Sequence, residues 1–422
     1  MLDINLIRKN PELVKKDLEK RKDKEKIKWL EDLIQKDKES LNLKKEIDNL
    51  RHSRNILSQK INQLKKQGKS ADSEIKKAKQ IPENLESLED KQKQFQEKIH
   101  YYLMRIPNIL HKSVPYGKDE TDNKVIKKQG KIPKFSFKLK SHGDLAESLD
   151  LADFKKAAKV SGKGFYYLKG DLALLEQSLI RFALEFLLKK KYTLISTPLM
   201  LRRKPYEGVT ALDDFETMMY KIQDEDLYLI ATSEHPMATL YMDETINEKE
   251  LPIKLMSLSP CFRKEIGSHG VDERGLFRVH QFNKIEQFIF CEPQDSWKFH
   301  EELLKNAEEL IKKLKLPYRI INICTGDIGI VASKKYDIEV YMPREKEYKE
   351  IVSCSNCTSY QAARLNIKYN SKNGKEYVHT LNSTALATSR ILRAILENYQ
   401  TKEGYIKVPT VLQKYTGFKI IK

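Results

Sequence analysis

The 422-residue sequence lacks several features that would assign it to other classes of protein. No uninterrupted apolar run reaches the roughly 18 residues that a membrane-spanning helix needs. The first residues, MLDINLIRKNPELV, have no apolar core of a secretory signal, so the expected location is the cytoplasm. The cysteine count is five, an odd number, so a disulfide framework is not expected. No GxxxxGKS or GxxxxGKT phosphate loop is present, so a bound nucleotide would have to be held by side chains.

Acidic residues are also in deficit. The chain has 60 Asp and Glu against 78 Lys and Arg, which gives a formal net charge of +18 and a pI of about 9.3. Such a surplus indicates a polyanionic partner, with nucleic acid as the first candidate. A lysine-rich surface that is only solvated explains the charge equally well, and composition does not decide between the two.

Residues 27–104 are poor in glycine and proline and rich in Lys, Glu, Gln and Leu. Two heptad seams run through them, over residues 43–64 and 78–102. Gly68 lies between the seams and favours a turn. The pattern predicts two long helices that fold back as an antiparallel coiled-coil hairpin. Pro82 either kinks the returning helix or marks its first turn.

Basic residues concentrate in the distal half of this hairpin. Residues 51–79 hold nine Lys and Arg against two Asp and Glu, whereas the rest of residues 1–100 holds seventeen of each. A structural coiled coil does not need this bias, but an arm that contacts a phosphate backbone does. The sequence therefore predicts nucleic-acid contacts through Arg51, Arg54, Lys60, Lys65, Lys66, Lys69, Lys76, Lys77 and Lys79.

The remaining chain divides into a stretch with three prolines and a longer region of mixed pattern. Residues 105–145 are expected to be a linker that leads into a second domain, residues 146–422. In that domain the pattern predicts helices at 172–190, 297–315 and 385–399, and strands at 192–196, 227–231, 255–263, 276–290, 318–324, 336–342 and 348–352. Short turns join most of these strands. This favours an α+β fold, with an antiparallel sheet flanked by helices, over a doubly wound sheet.

The stretch FRKEIGSHGVDERGLFRVHQF, residues 262–282, places arginines on both sides of a Gly-rich loop. Its flanks alternate as paired strands do, and such a hairpin would direct Arg263, Arg274, Arg278 and Phe282 to a common space. A guanidinium makes forked contacts to phosphate or carboxylate, and a phenyl ring stacks on a base. The pattern indicates a nucleotide site. A surface hairpin with ion pairs to acidic neighbours is the alternative.

Residues 336–365 contain acidic strands followed by Glu350 and Ser353. Oxygen ligands of this kind suit Mg²⁺, which binds through one or two protein groups together with phosphate oxygens. The adjacent Cys354 and Cys357 have CxxC spacing but no second pair of ligands. We therefore expect them to be small buried or half-buried side chains and not a metal site.

Residues 379–400 place hydroxyl and amide groups ahead of an amphipathic helix that carries Arg390 in its first turns. Two interpretations are open for this segment. It is either an N-capped core helix or a helix that brings an arginine to a triphosphate.

These segments, in this order and after a coiled-coil arm, resemble the seryl-tRNA synthetase family of class II aminoacyl-tRNA synthetases. KKYTLISTPLM resembles motif 1 of the family, FRKE with GLFRVHQFNKIEQF resembles motif 2, and TLNSTALATSRILRAILENYQ resembles motif 3. TSEHP, GDIG, YDIEVYMP and EIVSCSNCTSYQAARL resemble stretches of the seryl branch, and the likeness covers essentially the whole chain. Two departures are Lys191, where the family usually has glycine, and NSTA at 382–385, where many members carry glycines.

The resemblance implies an activity and a set of partners. A homodimeric serine–tRNA ligase would activate L-serine with ATP and Mg²⁺, forming seryl-adenylate and pyrophosphate, and then transfer serine to the 3′ end of tRNA(Ser). Where tRNA(Sec) exists, it is implied as a second substrate. Residues 1–104, with the hairpin at about 27–104, would bind the long variable arm of the tRNA. Residues 146–422 would form the class II catalytic domain of the ordinary form, for which no zinc is expected.

The resemblance also implies roles for individual residues. Arg263 matches the arginine at the α-phosphate and Arg390 the arginine at the γ-phosphate, and these two are the expected catalytic residues. The expected ATP-binding residues are Arg263, Lys264, Glu265, Arg278, Val279, His280, Phe282, Glu350, Ile351, Val352, Ser353 and Arg390, of which Glu350 and Ser353 are also the expected Mg²⁺ ligands. The expected serine-binding residues are Thr232, Ser233, Glu234, Arg263, Glu286, Asn382 and Thr384, with Glu286 accepting the serine hydroxyl.

Overall fold

The computed structural model describes residues 1–211, 218–265, 275–372 and 374–422. The chain forms two compact units, Leu2–Ile106 and Pro107–Lys422 together with Met1. The helices are α1 Ile4–Lys9, α2 Pro11–Lys20, α3 Lys24–Lys66, α4 Asp72–Leu103, α5 His142–Ser148, α6 Phe154–Ser161, α7 Gly170–Lys189, α8 Arg203–Glu207, α9 Glu234–Ala238, α10 Ser296–Lys313, α11 Tyr360–Leu365, α12 Thr388–Asn398 and α13 Gln413–Thr416. The strands are β1 Lys124–Gln129, β2 Ala152–Asp153, β3 Tyr167–Leu168, β4 Thr193–Leu194, β5 Met200–Leu201, β6 Tyr228–Leu229, β7 Thr245–Ile246, β8 Ile253–Phe262, β9 Gln281–Cys291, β10 Tyr318–Asn322, β11 Lys334–Met342, β12 Glu347–Asn356, β13 Lys368–Ser371, β14 Gly374–Tyr377, β15 His379–Ala387, β16 Ile406–Lys407 and β17 Ile420–Ile421.

The first unit contains the predicted hairpin, formed by the long helices α3 and α4. The Tyr102 hydroxyl donates to Asp32 at 2.7 Å near one end, and Lys60 pairs with Glu74 at 2.8 Å near the other, so the two helices run antiparallel. Residues of both predicted seams meet between the helices, where Ile47, Ile81 and Leu85 are buried. The hairpin prediction is confirmed. Pro82 lies inside α4, which begins at Asp72, so it does not mark the first turn of that helix.

The second unit is built on an eight-stranded sheet with the order β1-β10-β11-β12-β15-β9-β8-β4. Every pair of neighbours in it is antiparallel except β4 and β8, which are parallel. Smaller sheets pair β14-β13-β7, β16-β17, β2-β3 and β5-β6. Helices α7, α10 and α12 contribute to the core cluster that includes inward side chains of the large sheet. The predicted α+β architecture is confirmed.

Two strands of this sheet were not predicted. Strand β1 lies within residues 105–145, the expected linker, and pairs with β10 at the edge of the sheet. Strand β15 occupies residues 379–387, so that α12 begins at Thr388 and not at the predicted position 385. Arg390 nevertheless lies in the first turn of α12, as predicted.

The alternation of β9 positions the site. Its odd-numbered residues Ile285 and Ile289 belong to the core cluster shared with the helices. Phe288 and Phe290 point to the opposite face and belong to a second cluster. Because side chains alternate along a strand, the even-numbered residues that precede them share this second face.

Lys191, the first departure from the family pattern, follows α7 in a left-handed conformation with a φ of 66°. Its N–H bonds to the Leu188 carbonyl at 3.0 Å, and the Tyr192 N–H bonds to the Leu187 carbonyl at 3.2 Å. This pair of bonds is the Schellman pattern that ends helices, and its left-handed position favours glycine. Lys191 therefore occupies a backbone conformation that favours glycine.

We predict that Lys191→Gly stabilises the protein. A non-glycine residue in the left-handed region costs about 1 kcal/mol, part of which glycine offsets through its greater freedom in the unfolded chain. The melting temperature in a calorimetric scan should rise by about 1–2 °C. Lys190→Gly, one residue earlier, is the control and should lower it, because Lys190 has a negative φ of −86°. A lower melting temperature for Lys191→Gly would contradict this account of the turn.

Candidate active site

A cavity of about 330 Å³ opens on the face of the sheet that carries the even-numbered residues of β9. Three of these, Phe282, Lys284 and Glu286, line it in succession. The cavity brings together side chains from strands β9, β12 and β15, from helix α12 and from the end of β8. The predicted site residues that line it are Thr232, Glu234, Arg263, Phe282, Glu286, Glu350, Ile351, Ser353, Asn382, Thr384 and Arg390.

Arg263 and Phe282 form one side of the cavity. Arg263 follows the last residue of β8, and its Nε donates to the Ala231 carbonyl at 3.3 Å. The guanidinium carbon lies 5.3 Å from the centroid of the Phe282 ring. The ring is 9% exposed and packs with Val279. A guanidinium beside a phenyl ring can receive an anion and a flat aromatic group together.

His280 supports this side of the cavity without lining it. Its backbone carbonyl accepts from the Arg263 N–H at 2.9 Å, and its Nδ1 donates to the Arg263 carbonyl at 2.8 Å. Its ring stacks on Phe165 at 5.3 Å. Gly164 has a φ of 82°, and a Cβ added there would lie 2.4 Å from Cδ2 of His280. Close packing against this ring, not phosphate binding, therefore explains a glycine at 164.

Arg390 and Glu350 form a second side. Nη1 of Arg390 donates to the Glu350 carbonyl oxygen at 2.9 Å and to Oε1 of the same residue at 3.1 Å. The Glu350 side chain is 43% exposed because it faces the open cavity, while protein surrounds it elsewhere. Burial on those sides would raise its pKa, but the charges of Arg390, Lys335 and Arg263 outweigh burial and lower the pKa. Glu350 is therefore a carboxylate held among cations.

Glu286 lies at the buried end, 1% exposed. Its Oε2 is 2.7 Å from Nζ of Lys284, and the Thr384 hydroxyl donates to the same oxygen at 3.4 Å. Burial raises the pKa of Glu286, and the Lys284 ammonium opposes that shift. Lys284 was missed by the sequence analysis. Its even position between Phe282 and Glu286 on one strand was the signal that would have found it.

Glu234 is a second carboxylate of the cavity, and it is half-buried. Its Oε1 accepts from Nε2 of Gln361 at 2.9 Å and from Nδ2 of Asn382 at 3.0 Å. Burial, and then the charge of Glu286, raise its pKa to about 7. Burial also lowers the pKa of the adjacent His235 to about 3, so this imidazole is neutral. Two acids whose burial disfavours ionisation make a site that favours a cationic ligand.

Several predicted site residues do not line the cavity. Ser233, Val279 and Val352 are buried in the structure around it, and Arg278 is exposed. Lys264, Glu265 and His280 are also absent from its lining. Arg274 and the Gly-rich loop at 266–274 lie outside the described residues. Besides Lys284, the sequence analysis missed Lys335, a lysine of β11 that lines the cavity.

The predicted magnesium ligands fit that ion by their donor chemistry. Glu350 and Ser353 offer one carboxylate and one hydroxyl to the cavity, and Mg²⁺ binds with few protein ligands beside phosphate oxygens. Asp337, paired with Ser353 in the ladder of β11 and β12, has a buried oxygen Oδ1 without a hydrogen-bond partner. Within the described ranges, no cluster of three His, Cys, Asp or Glu side chains is placed to hold a metal without such help. Cys354 and Cys357 are free and buried, as predicted.

The nine basic residues of the hairpin were predicted to contact nucleic acid. All nine are exposed on α3, α4 and the turn between them: Arg51, Arg54, Lys60, Lys65, Lys66, Lys69, Lys76, Lys77 and Lys79. Arg51 pairs with Glu89 at 2.8 Å, and Lys60 pairs with Glu74 at 2.8 Å. Among the described residues, no helix is long and apolar enough to span a membrane.

Comparisons with known proteins match both units. Residues 1–110 match the family model of the seryl-tRNA synthetase N-terminal domain, and residues 218–399 match the tRNA synthetase class II core domain (G, H, P, S and T). A serine–tRNA ligase of Methanospirillum hungatei is 56% identical over 422 residues, with 99% of each chain covered.

Solved structures agree with these matches. The crystal structure of seryl-tRNA synthetase from Pyrococcus horikoshii complexed with ATP superposes with a TM-score of 0.94 at 48% identity, over 100% of this chain and 99% of that one. Cytoplasmic serine–tRNA ligase from Naegleria fowleri in complex with AMP superposes with a TM-score of 0.90 at 34% identity, over the same shares of the two chains. The chain therefore belongs to the seryl-tRNA synthetase family, the class II aminoacyl-tRNA synthetases that the sequence motifs indicated.

Proposed function

We propose that the chain activates L-serine with ATP, forming seryl-adenylate and pyrophosphate, and then transfers serine to the 3′ end of tRNA(Ser). The observation that carries the proposal is the convergence of Arg263, Arg390 and Glu286 on one cavity from three separate segments. The family membership and the ATP and AMP complexes of two relatives support it. Where a selenocysteine tRNA exists, we propose it as a second substrate. The proposed location is the cytoplasm.

In the first step the serine carboxylate attacks the α-phosphate of ATP, and pyrophosphate leaves. No protein nucleophile is needed, so the residues act by positioning and by stabilising charge. Arg263 contacts the α-phosphate and the serine carboxylate, and Arg390 contacts the γ-phosphate. The adenine stacks on Phe282. Glu350 and Ser353 would hold Mg²⁺, which would supply positive charge to the phosphates.

Serine is selected by its two polar ends. Glu234 receives the ammonium, and Glu286 accepts the hydroxyl, with Thr232, Asn382 and Thr384 around them. Alanine offers no hydroxyl, so the buried Glu286 would lack the donor that serine supplies beside Lys284 and Thr384, and this loss costs more than the hydroxyl contact itself contributes. Threonine offers the same hydroxyl, so its additional methyl group must be excluded by crowding.

The pKa of Glu234 leads to a prediction for serine binding. Below about pH 7 this acid is protonated in the free protein, and an ammonium ligand must displace that proton. Serine affinity should therefore fall about tenfold for each pH unit below about 7 and level off above it. Titration calorimetry in two buffers of different ionisation enthalpy should show proton release at about pH 6 and little at about pH 8.5. Serine affinity that stays constant across this range would contradict the role of Glu234.

The tRNA is proposed to bind through the hairpin. The nine exposed basic residues of its distal half suit a phosphate backbone that is recognised by shape, as expected for the long variable arm. We propose a homodimer in which the hairpin of one subunit presents tRNA to the active site of the other. Exposed apolar side chains of α7 and the following segment support an interface there: Leu188 is 51% exposed, Leu194 45%, Leu199 39% and Met200 41%.

Serine-dependent ATP–pyrophosphate exchange, measured with a panel of amino acids, tests the proposal. Exchange with serine, and none with alanine or threonine, is the expected result. A paralogue that had lost aminoacylation could still exchange but would not charge tRNA(Ser). A coiled-coil scaffold would neither bind ATP nor exchange. Absence of exchange with every amino acid would refute the proposed function.

A further inference from the structure

A buried group of charged and polar side chains lies outside the cavity and has no role in the account above. It consists of His142, the first residue of α5, and of Arg393 and Glu397 on α12, which are 1%, 0% and 0% exposed. Nε of Arg393 donates to Oε1 of Glu397 at 3.0 Å, and Nδ1 of His142 is 3.3 Å from the same oxygen. A buried network of this kind is costly unless each member has its partners.

The hydrogen bonds of His142 define which of its ring nitrogens carries a proton. The backbone N–H of Leu276 donates to Nε2 at 3.0 Å, so Nε2 carries no proton. Nδ1 therefore carries the proton and donates it to Glu397. Burial would raise the pKa of Glu397, but the hydrogen bond from His142 and the charge of Arg393 lower it, so the acceptor is ionised. The imidazole thus links the backbone of residue 276 to helix α12.

Gly275 fits closely against the same ring. A Cβ at position 275 would lie 2.1 Å from Nε2 and 2.8 Å from Cε1 of His142, which is closer than any real contact of that kind. The following Leu276 is fully buried in the core. The backbone that leads into β9 is therefore seated directly on the imidazole, with no room for a side chain between them.

The next residue, Phe277, touches two arginines of α12. Its ring centroid is 5.2 Å from the guanidinium carbon of Arg390 and 4.6 Å from that of Arg393. Arg390 reaches from this ring to the cavity, where it donates to Glu350. The position of Arg390 thus depends on Phe277, whose neighbour in the chain is held by His142.

We propose that His142 is a positioning residue for ATP. By holding the backbone of Leu276, it fixes the Phe277 ring, and through that ring the Arg390 guanidinium, in the place where the triphosphate binds. The inference rests on the proposed function, because it takes Arg390 to contact ATP. Serine binds at the other end of the cavity, around Glu234 and Glu286, and does not depend on this chain of contacts.

The test compares His142→Leu and His142→Gln in the full-length protein by ATP–pyrophosphate exchange. His142→Leu should raise the KM for ATP about tenfold or more and change the KM for serine less than about twofold. Glutamine carries one donor and one acceptor on its amide and should restore the KM for ATP to within about threefold of the wild type. A general loss of stability would not raise the KM for ATP alone, and glutamine would not be expected to restore it.

Gln400→Leu is the matched control. Like His142, Gln400 links the region of α12 to the segment around α5, because it lies just after α12 and bonds to Lys140. Its side chain accepts from the Lys140 N–H at 3.0 Å and donates to the Lys140 carbonyl at 3.2 Å. Its loss should lower the melting temperature and leave the KM for ATP unchanged. If Gln400→Leu and His142→Leu raise that KM equally, His142 has only a structural role and the proposal is overturned.

A double-mutant cycle with Gly275→Ala gives an independent answer. The added Cβ pushes against the His142 ring, so Gly275→Ala alone should raise the KM for ATP about tenfold, but less than about twofold in a His142→Ala background. Additive effects of the two substitutions on the KM for ATP would overturn the proposal, and so would an unchanged KM in Gly275→Ala. The Gly275→Ala variant also tests the proposal if His142→Leu does not fold. A wild-type protein without serine-dependent exchange would instead refute the proposed function.

Discussion

Replacing Arg263 with alanine is expected to lower the rate of serine-dependent ATP–pyrophosphate exchange by about 10³-fold or more. The guanidinium lies beside Phe282 in the cavity, where it would contact both the α-phosphate and the attacking carboxylate. An arginine that stabilises the charge developing as the adenylyl group is transferred has effects of this size, and no water can take its place in fixed geometry. Exchange kinetics at saturating ATP and serine measure the loss.

The controls for Arg263→Ala separate chemistry from folding. Arg319→Ala removes an arginine from β10 that pairs with Glu339 and does not line the cavity, and its exchange rate should remain within about twofold of the wild type. Affinity for tRNA(Ser) should be nearly unchanged in Arg263→Ala, because the hairpin is proposed to carry most of the binding. Equal loss of exchange in the two variants, or equal loss of tRNA affinity and exchange in Arg263→Ala, would contradict the assignment.

Removing the distal hairpin is expected to have the reverse effect. Nε2 of Gln92 donates to the Ser40 carbonyl at 3.4 Å, so these two positions face each other across the hairpin. Deleting residues 41–91 and joining the ends by a short Gly-rich turn should therefore leave the rest of the two helices paired. Aminoacylation of tRNA(Ser), as kcat/KM, should fall about 10³-fold, because the deletion removes all nine basic residues predicted to contact the tRNA. Pyrophosphate exchange should stay within about threefold of the wild type.

A finer variant pair tests whether charge at the tip is the cause. Replacing Lys65, Lys66 and Lys69 by glutamine should weaken tRNA binding and reduce the slope of log affinity against log salt by about 2. The control replaces three exposed lysines outside the distal half of the hairpin, Lys16 on α2 and Lys24 and Lys28 on α3, and should leave that slope unchanged. Similar slopes in the two variants would mean that net charge, and not the placement of the basic residues, governs tRNA binding. A truncated arm that loses exchange as severely as aminoacylation would contradict the separation of the two units.

Local patterns predicted the two helices of the hairpin, which each have one exposed and one buried face, and the strand pair around the Gly-rich loop. The seams at 43–64 and 78–102 repeat at heptad spacing, and they pair in α3 and α4. The strands on either side of the Gly-rich loop pair as β8 and β9, with Ile253 opposite Phe290 and Phe262 opposite Gln281. Arg263 and Phe282 follow from that hairpin, because their positions place them at its end, whereas Glu286 was expected only from the family resemblance.

Strand β15 could not be predicted from its pattern because polar residues occupy many of its buried positions. Nearly every residue of HTLNSTALA is buried between β12 and β9, including the polar Asn382, Ser383 and Thr384. In the sequence these residues resemble the cap of a helix, and only the neighbouring strands supply their partners. Strand β1 was not predicted for a different reason. All six of its residues are exposed, so its sequence has no alternation of buried and exposed side chains.

The pKa shifts and buried charge pairs of the site also could not be predicted from the sequence. The pKa of Glu234 near 7 arises from burial and from the charge of Glu286, which is 52 positions away in the chain. Lys284 was overlooked because a lysine within a strand is usually an exposed one. The link from His142 to Leu276 joins residues 134 positions apart, and no local pattern marks it. Such pairings depend on the strand order, which the sequence does not state.

A crystal structure of the protein with serine and a non-hydrolysable ATP analogue would test the central claim most directly. The account predicts the α-phosphate within hydrogen-bonding distance of Arg263, the γ-phosphate at Arg390, the adenine on Phe282 and the serine hydroxyl at Glu286. An analogue whose triphosphate bound away from both arginines, or a serine whose hydroxyl pointed away from Glu286, would contradict it.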